Sequence, residues 1–220
     1  MRVLFFCILL VLSPCIMVFG QTVYQDSLAT SFSISSSFSK TSDAQVFGYG
    51  LNVAFKNGIN LGLIRTNQKD LAAAESRDRI NGKGWGGYLS LMFANELKGD
   101  PLGVEAGFIF SAGTYRQESQ PDYELKTNQA GVSVSASKRL RMSDRSLLVP
   151  QLSYSFLPIY KAQEKNKWRS HYFAHKTSTV NFTLGFTRDK NTFTYVIDSS
   201  VALDTNTSTI LGAVGFTIYP

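Results

Sequence analysis

The chain has 220 residues, with 22 Lys plus Arg against 16 Asp plus Glu. That length suits one domain, and so mild a basic excess does not by itself point to nucleic acid. Both cysteines, Cys7 and Cys15, lie in the first twenty residues, so everything from Gln21 onward lacks a disulfide framework, a thiolate metal site and a cysteine nucleophile. Mean hydropathy is −0.05, and no apolar run of about eighteen residues follows the N-terminal segment. Helical membrane spans are therefore excluded, but strand spans are not, because an alternating strand averages to about zero.

Residues 1–20 carry one charge, Arg2, an apolar stretch from Val3 to Leu12, the breaker pair Ser13-Pro14, and a second apolar patch ending at Gly20. Val18 and Gly20 occupy the minus-three and minus-one positions before Gln21, so residues 1–20 are expected to be a cleaved signal peptide and residues 21–220 the mature domain. Pro14 argues against a transmembrane helix, and Leu12-Ser13-Pro14-Cys15 matches a lipobox only loosely.

Period-two alternation then recurs along the chain. A first strand around Leu28 to Phe38 carries Phe32, Ile34 and Phe38. From Phe47 to Phe55 every odd position is large and apolar, while the even ones are Gly48, Gly50, Asn52 and Ala54. The same pattern follows at Ile59–Leu63, Trp85–Phe93, Val104–Phe110, Ala130–Ala136, Leu148–Phe156, Val180–Phe186 and Phe193–Ile197, and a last strand is expected from about Ser208 to Tyr219. The fold class is all-β: a closed antiparallel up-and-down transmembrane β-barrel of about ten strands, with eight as the alternative. Alternation alone does not separate this from a soluble sandwich, whose greasy face would meet a second sheet.

Connection lengths favour the barrel. With both termini on the periplasmic side, Lys56-Asn57-Gly58 and Arg188-Asp189-Lys190-Asn191 are short turns, while 66–83 and 161–176 are long polar loops on the opposite side. A three-residue loop pairs Phe55 with Ile59 and Val53 with Leu61, placing Gly58 where a left-handed residue is wanted. The later hairpin is expected to pair Phe186 with Phe193 and Leu184 with Tyr195, keeping one face apolar. Pro150 and Pro158 share one strand and are expected to mark its two rims.

The alternating segments 47–55, 85–93, 104–110 and 180–186 resemble those of small outer-membrane β-barrel proteins of Bacteroidetes-type bacteria, OmpX/OmpW-like in the broad sense. The resemblance covers nearly all of the mature chain and implies a bacterial outer-membrane location, insertion by the barrel-assembly machinery, and a terminal aromatic, here Tyr219 followed by Pro220.

Residues of lumen parity are mostly small, with Tyr88, Met92, Ile109 and Tyr115 the larger exceptions. Either a partly filled, watery interior or tight packing of small residues is compatible with this list. Glu105, Asn181 and Asp198 are polar lumen candidates. The only histidines, His171 and His175, lie in the segment 161–176. Extending the hairpin register opposes His175 to Asp204 and Asn181 to Asp198, so His175, Asp204 and Ser170 are the candidates for nucleophilic hydrolysis, although no nucleophile motif accompanies them. Lys161, Lys165, Lys167, Arg169 and Lys176 in the same segment suit lipopolysaccharide phosphates. No phosphate-cradling glycine loop, metal-spaced His/Cys cluster or nucleic-acid module is visible, so no cofactor is implied. The leading expectation is a structural or passive-transport, porin-like barrel with basic extracellular loops, not an enzyme. The rivals are an outer-membrane lipid-modifying hydrolase and a secreted or periplasmic β-barrel holding a lipophilic ligand.

Overall fold

The computed structural model describes residues 30–40, 44–70, 79–117, 119–190, 193–205 and 209–219. The expected signal peptide, the first residues of strand one and Pro220 lie outside them. The strands are β1 (Ser31–Lys40), β2 (Ala44–Ala54), β3 (Ile59–Asp70), β4 (Ile80–Ala94), β5 (Gly103–Gln117), β6 (Glu124–Ser137), β7 (Leu140–Ser143), β8 (Ser146–Lys165), β9 (Ser170–Asp189), β10 (Thr194–Asp204) and β11 (Thr209–Tyr219). All pairings are antiparallel. β1 pairs with β11, and β6 pairs with β8, so ten strands close on themselves while the four-residue β7 forms a small hairpin beside β8.

Following hydrogen-bonded partners round the wall measures its stagger. From Ser35 the row runs through Gly50, Ile64, Gly86, Ser111 and Gln129 to Tyr160. In the other direction it runs through Thr217, Val196 and Thr187 to Leu147. Allowing for one bulged residue on β8, the strands shift by about 12 positions per circuit, which for ten strands means a tilt of roughly 40°.

Closure inverts the usual burial. Phe32, Leu51, Phe93, Phe108, Leu152 and Ile197 are exposed on the outer face, while Ser33, Ser35, Asn60, Thr183, Asp198 and Thr217 are buried inside. A sandwich would bury the first set against a second sheet. Here no other sheet covers them among the described residues, and the solvent they fit is hydrocarbon. No described helix is long and apolar enough to cross a membrane, so any crossing is made by strands.

The expected split into short turns at one end and long loops at the other is not what the strand boundaries show. At the end where β11 finishes, here the turn end, Phe55 donates its N–H to Ile59 at 2.8 Å and Val53 opposes Leu61, the register expected. Gly58 adopts φ +87°, a conformation that side chains with a Cβ resist. The longer connections at this end are themselves ordered: residues 95–102 contain a 3-10 turn, Glu96–Lys98, and 138–145 contain β7.

Three expectations need correction. The β9–β10 hairpin pairs Phe186 with Ile197 and Tyr195 with Arg188, four positions away from the expected register; the even shift keeps the apolar face intact, which is why alternation could not detect it. The expected loop 161–176 is mostly strand, with only 166–169 forming the turn, and the expected loop 66–83 is strand up to Asp70 and again from Ile80. Finally, the prolines are seam positions. Pro150 lies where β6 hands over to β7, and its carbonyl accepts the Lys138 N–H at 3.0 Å, so its missing donor faces that gap. At Pro158 two residues of β8, Leu157 and Pro158, oppose the single Gly131 of β6. That bulge reverses the inside–outside parity of β8 beyond it.

Candidate functional site

The barrel interior has two unlike halves. In the half toward the turn end it is polar: Glu105 accepts from Asn60 Nδ2 at 3.1 Å and from the Ser90 hydroxyl, and the Tyr88 hydroxyl donates to Asn52 Oδ1 at 3.2 Å. Asn181 donates to Thr183 Oγ1 at 3.3 Å. Asp198 is buried between Gly185 and Gly215, and one carboxylate oxygen has no partner among the described residues. Glu105, Asn181 and Asp198 all lie on the inner face of the wall. Below this layer a cavity of about 20 Å³, lined in part by Glu105, Ser135 and Arg139, has room for one water.

Toward the opposite end, the loop end, the interior becomes apolar and aromatic. Ile109, Tyr115, Tyr123, Leu125, Leu157 and Tyr160 form one cluster, with the three tyrosines no more than 4% exposed. Glycines make this packing possible: a Cβ on Gly82 would lie 2.0 Å from the Tyr115 ring. The sequence reading found Ile109 and Tyr115 but missed the rest. Tyr160 turns inward only because of the bulge at Pro158, and Tyr123 and Leu125 precede the segment whose alternation is strong.

The candidates for hydrolysis do not come together as the extended register suggested. Asp204 opposes Thr179, His175 opposes Tyr160 on the other neighbour, and Ser170 opposes Lys165 at the tip of the β8–β9 hairpin. Along β9 these rows put His175 roughly 13 Å and Ser170 roughly 30 Å from the Asp204 level. Asp204 is buried and Ser170 exposed. Among the described residues no group of three or more His, Cys, Asp or Glu is placed to hold a metal.

The basic candidates divide by height. Lys167 and Arg169 occupy the tip turn, where Asn166 Oδ1 accepts the Trp168 and Arg169 N–H groups at 3.0 and 2.7 Å and fixes its shape. Trp168 is 84% exposed there. Lys165 lies just below, and Lys161 and Lys176 lie on the outer wall of β8 and β9 itself. The reading by sequence missed that Lys69, Lys83 and Lys126 share this outer wall.

A closed sheet with apolar residues outside and polar ones within defines a bacterial outer-membrane β-barrel of small size. No family model matches the sequence, and no curated protein is similar to it. Among solved structures, the β domain of the Bordetella autotransporter BrkA is similar at a TM-score of 0.56 and 8% identity, covering 87% of this chain and 98% of that one. The translocator domain of the autotransporter NalP from Neisseria meningitidis has a TM-score of 0.49 at 8% identity, covering 86% of each chain. The KdgM porin reaches 0.37 at 14% identity, covering 85% of this chain and 97% of that one. At these identities the likeness concerns the fold alone.

Proposed function

We propose that the protein is a structural outer-membrane barrel of the small OmpX/OmpW-like kind found in Bacteroidetes-type bacteria, without enzyme activity, whose basic loop end contacts lipopolysaccharide. The observation that carries this reading is the cluster of Tyr115, Tyr123, Tyr160, Leu125 and Leu157 filling the loop end of the lumen. A conduit for solutes needs a continuous polar path. Here the polar layer at Glu105 and Asp198 gives way to packed aromatic rings, which favours the structural over the passive-transport alternative. The row of exposed apolar residues on the outer face, among them Leu51, Trp85, Phe108 and Phe182, supports the resemblance.

Conductance of the refolded mature protein in planar bilayers tests the proposal. Wild type should show no stable channel, whereas Tyr115→Ala with Tyr160→Ala should open measurable conductance. A large steady wild-type conductance would restore the porin reading. Loss of a lipid-hydrolysing activity on His175→Ala, with folding intact, would establish the hydrolase instead.

A further inference from the structure

We infer that the outer wall of β3, β4, β5, β6 and β8 at the loop end is a site for a bis-phosphorylated glycolipid of the surrounding leaflet, with phosphates on Lys83, Lys126 and Lys161 and an acyl chain in the apolar groove below. The inference rests on the outer-membrane reading and deepens its lipid contact from a loop to a built surface.

Cross-strand register assembles the cations. Asn67, Lys83, Thr114, Lys126 and Gln163 stand side by side in one outward row. The adjacent row toward the loops holds Lys69, Arg116 and Lys165, and the adjacent row toward the membrane holds Arg65 and Lys161. The acid among these positions is Glu124, already engaged by Lys126 at 2.9 Å and Arg116 at 3.1 Å. Arg65 rests 4.7 Å from the Trp85 ring centre. Lys83 and Lys161 make no ion pair among the described residues, so the wall carries a strong cationic excess facing outward.

The groove provides the second, independent element. Immediately below the cations the outward row is apolar, with Leu63, Phe110, Ala130 and Ile159. Further down the same strands, the small Ala106 sits among Leu89, Leu91, Phe108, Val132 and Val134, leaving a depression of about 520 Å³. Val132 follows Lys126 by six positions on β6, roughly 20 Å of strand. A molecule with its anionic head at Lys126 and a hydrocarbon tail of ordinary length reaches this depression.

Spacing selects the class of lipid. Lys83 and Lys126 lie two strands apart in one row, about 10 Å, and Lys161 is diagonal to Lys126 at about 7 Å. Thr114 and Asn128 offer hydrogen-bonding groups between them. One phosphodiester cannot span that set, whereas a sugar headgroup bearing two phosphates can.

The test uses the folded mature chain in neutral detergent, with bis-phosphorylated lipid A, its dephosphorylated form and phosphatidylcholine as probes, and bound lipid counted by native mass spectrometry. Wild type should retain bis-phosphorylated lipid A at least tenfold better than either other probe, with the preference falling as salt rises. Lys83→Ser with Lys126→Ser and Lys161→Ser should abolish the preference. Ala106→Phe, which fills the groove from the lipid side, should weaken retention severalfold while leaving the phosphate preference in place. Equal retention of the three probes by wild type, or an unchanged preference in the triple variant, overturns the proposal, as does a second copy of the chain occupying this wall in place of lipid. Heat-modifiable gel migration is measured in parallel: its absence would sink the outer-membrane reading itself, whereas its presence without lipid preference sinks this inference alone.

Discussion

Val132 and Asn128 are four positions apart on β6 and share the outward parity, yet they meet different media. Val132 is flanked by Phe108 and Phe156 across the neighbouring strands, while Asn128 is flanked by Ala112 and Lys161. Burying a cation in hydrocarbon is opposed by its hydration, and the penalty depends on depth. Val132→Arg should therefore cost about 2 to 4 kcal/mol of folding stability in a bilayer and Asn128→Arg about 0 to 1 kcal/mol, as read by urea titration in vesicles; equal penalties would mean that the apolar belt is misplaced. Inside, Tyr115 packs over Gly82, so Gly82→Leu should destabilise the barrel by forcing ring and backbone apart, whereas the exposed Gly212→Ala, whose Cβ would meet nothing nearer than 4.0 Å, should be mild. Above the belt, the Lys126 ammonium, then the Arg116 guanidinium, hold the Glu124 carboxyl below its ordinary value. A carboxyl lowered by folding contributes stability that is complete above the ordinary carboxylate range and lost as pH falls through the lowered value. Because the pair is at the surface, the effect should stay under about 1 kcal/mol; in Glu124→Gln that acid-side slope should disappear from the urea midpoint measured between pH 6 and pH 3.

At the scale of strands, what could be read from the sequence was parity, and what could not was register. Alternation in 47–55 and 85–93 assigned the two faces of β2 and β4, because a misplaced residue there would put an aromatic ring in the lumen. It set the β2–β3 hairpin as well, since only a three-residue loop with Gly58 matched both faces. The β9–β10 hairpin escaped because shifts of two or four positions leave every face unchanged. That error alone set His175 opposite Asp204 and created the expected catalytic pair. The strand ends beyond the belt were equally hidden: on Lys161–Lys165 and Ser170–Lys176 the outer face is polar and Ala162 and Phe173 alone meet the apolar cluster inside, too sparse a pattern to mark them as strand. The cationic wall was invisible for a related reason, since Lys83, Lys126 and Lys161 are far apart in sequence and adjacent only through pairing. Pro158 is the extra residue of β8: deleting it should remove the bulge and leave Tyr160 inward and Lys161 outward on a regularly alternating strand. The expected result is that heat-modifiable folding is kept, and a deletion variant that no longer folds would show the bulge itself to be required.

The whole molecule is lopsided. β8 and β9 have twenty residues each, whereas β10 and β11 have eleven, so the wall rises far higher on one side of the loop end than on the other. β10 accompanies β9 only as far as Thr179, which leaves Ser170–Ser178 above its neighbour, where Thr205 caps the Ser178 carbonyl at 2.9 Å. At about 3.3 Å per residue and a tilt near 40°, twenty residues rise roughly 50 Å, about twice the apolar band of a typical barrel. The excess must stand in water on one side, and a projection of this size is expected on the extracellular side, where such barrels extend furthest beyond the membrane. The exposed tip carries Lys165, Lys167 and Arg169, each a cleavage point for trypsin, around the exposed Trp168. Trypsin added to intact cells should cut there and give two unequal fragments on denaturing gels, one carrying β1 to β8 and the smaller one β9 to β11, and Lys165→Gln with Lys167→Gln and Arg169→Gln should protect the chain. Full protection of wild type in intact cells, with cleavage only after the outer membrane is permeabilised, would mean that the hairpin points into the periplasm. In that orientation the cationic wall would face the inner leaflet, and a lipopolysaccharide headgroup could not be what Lys83, Lys126 and Lys161 hold.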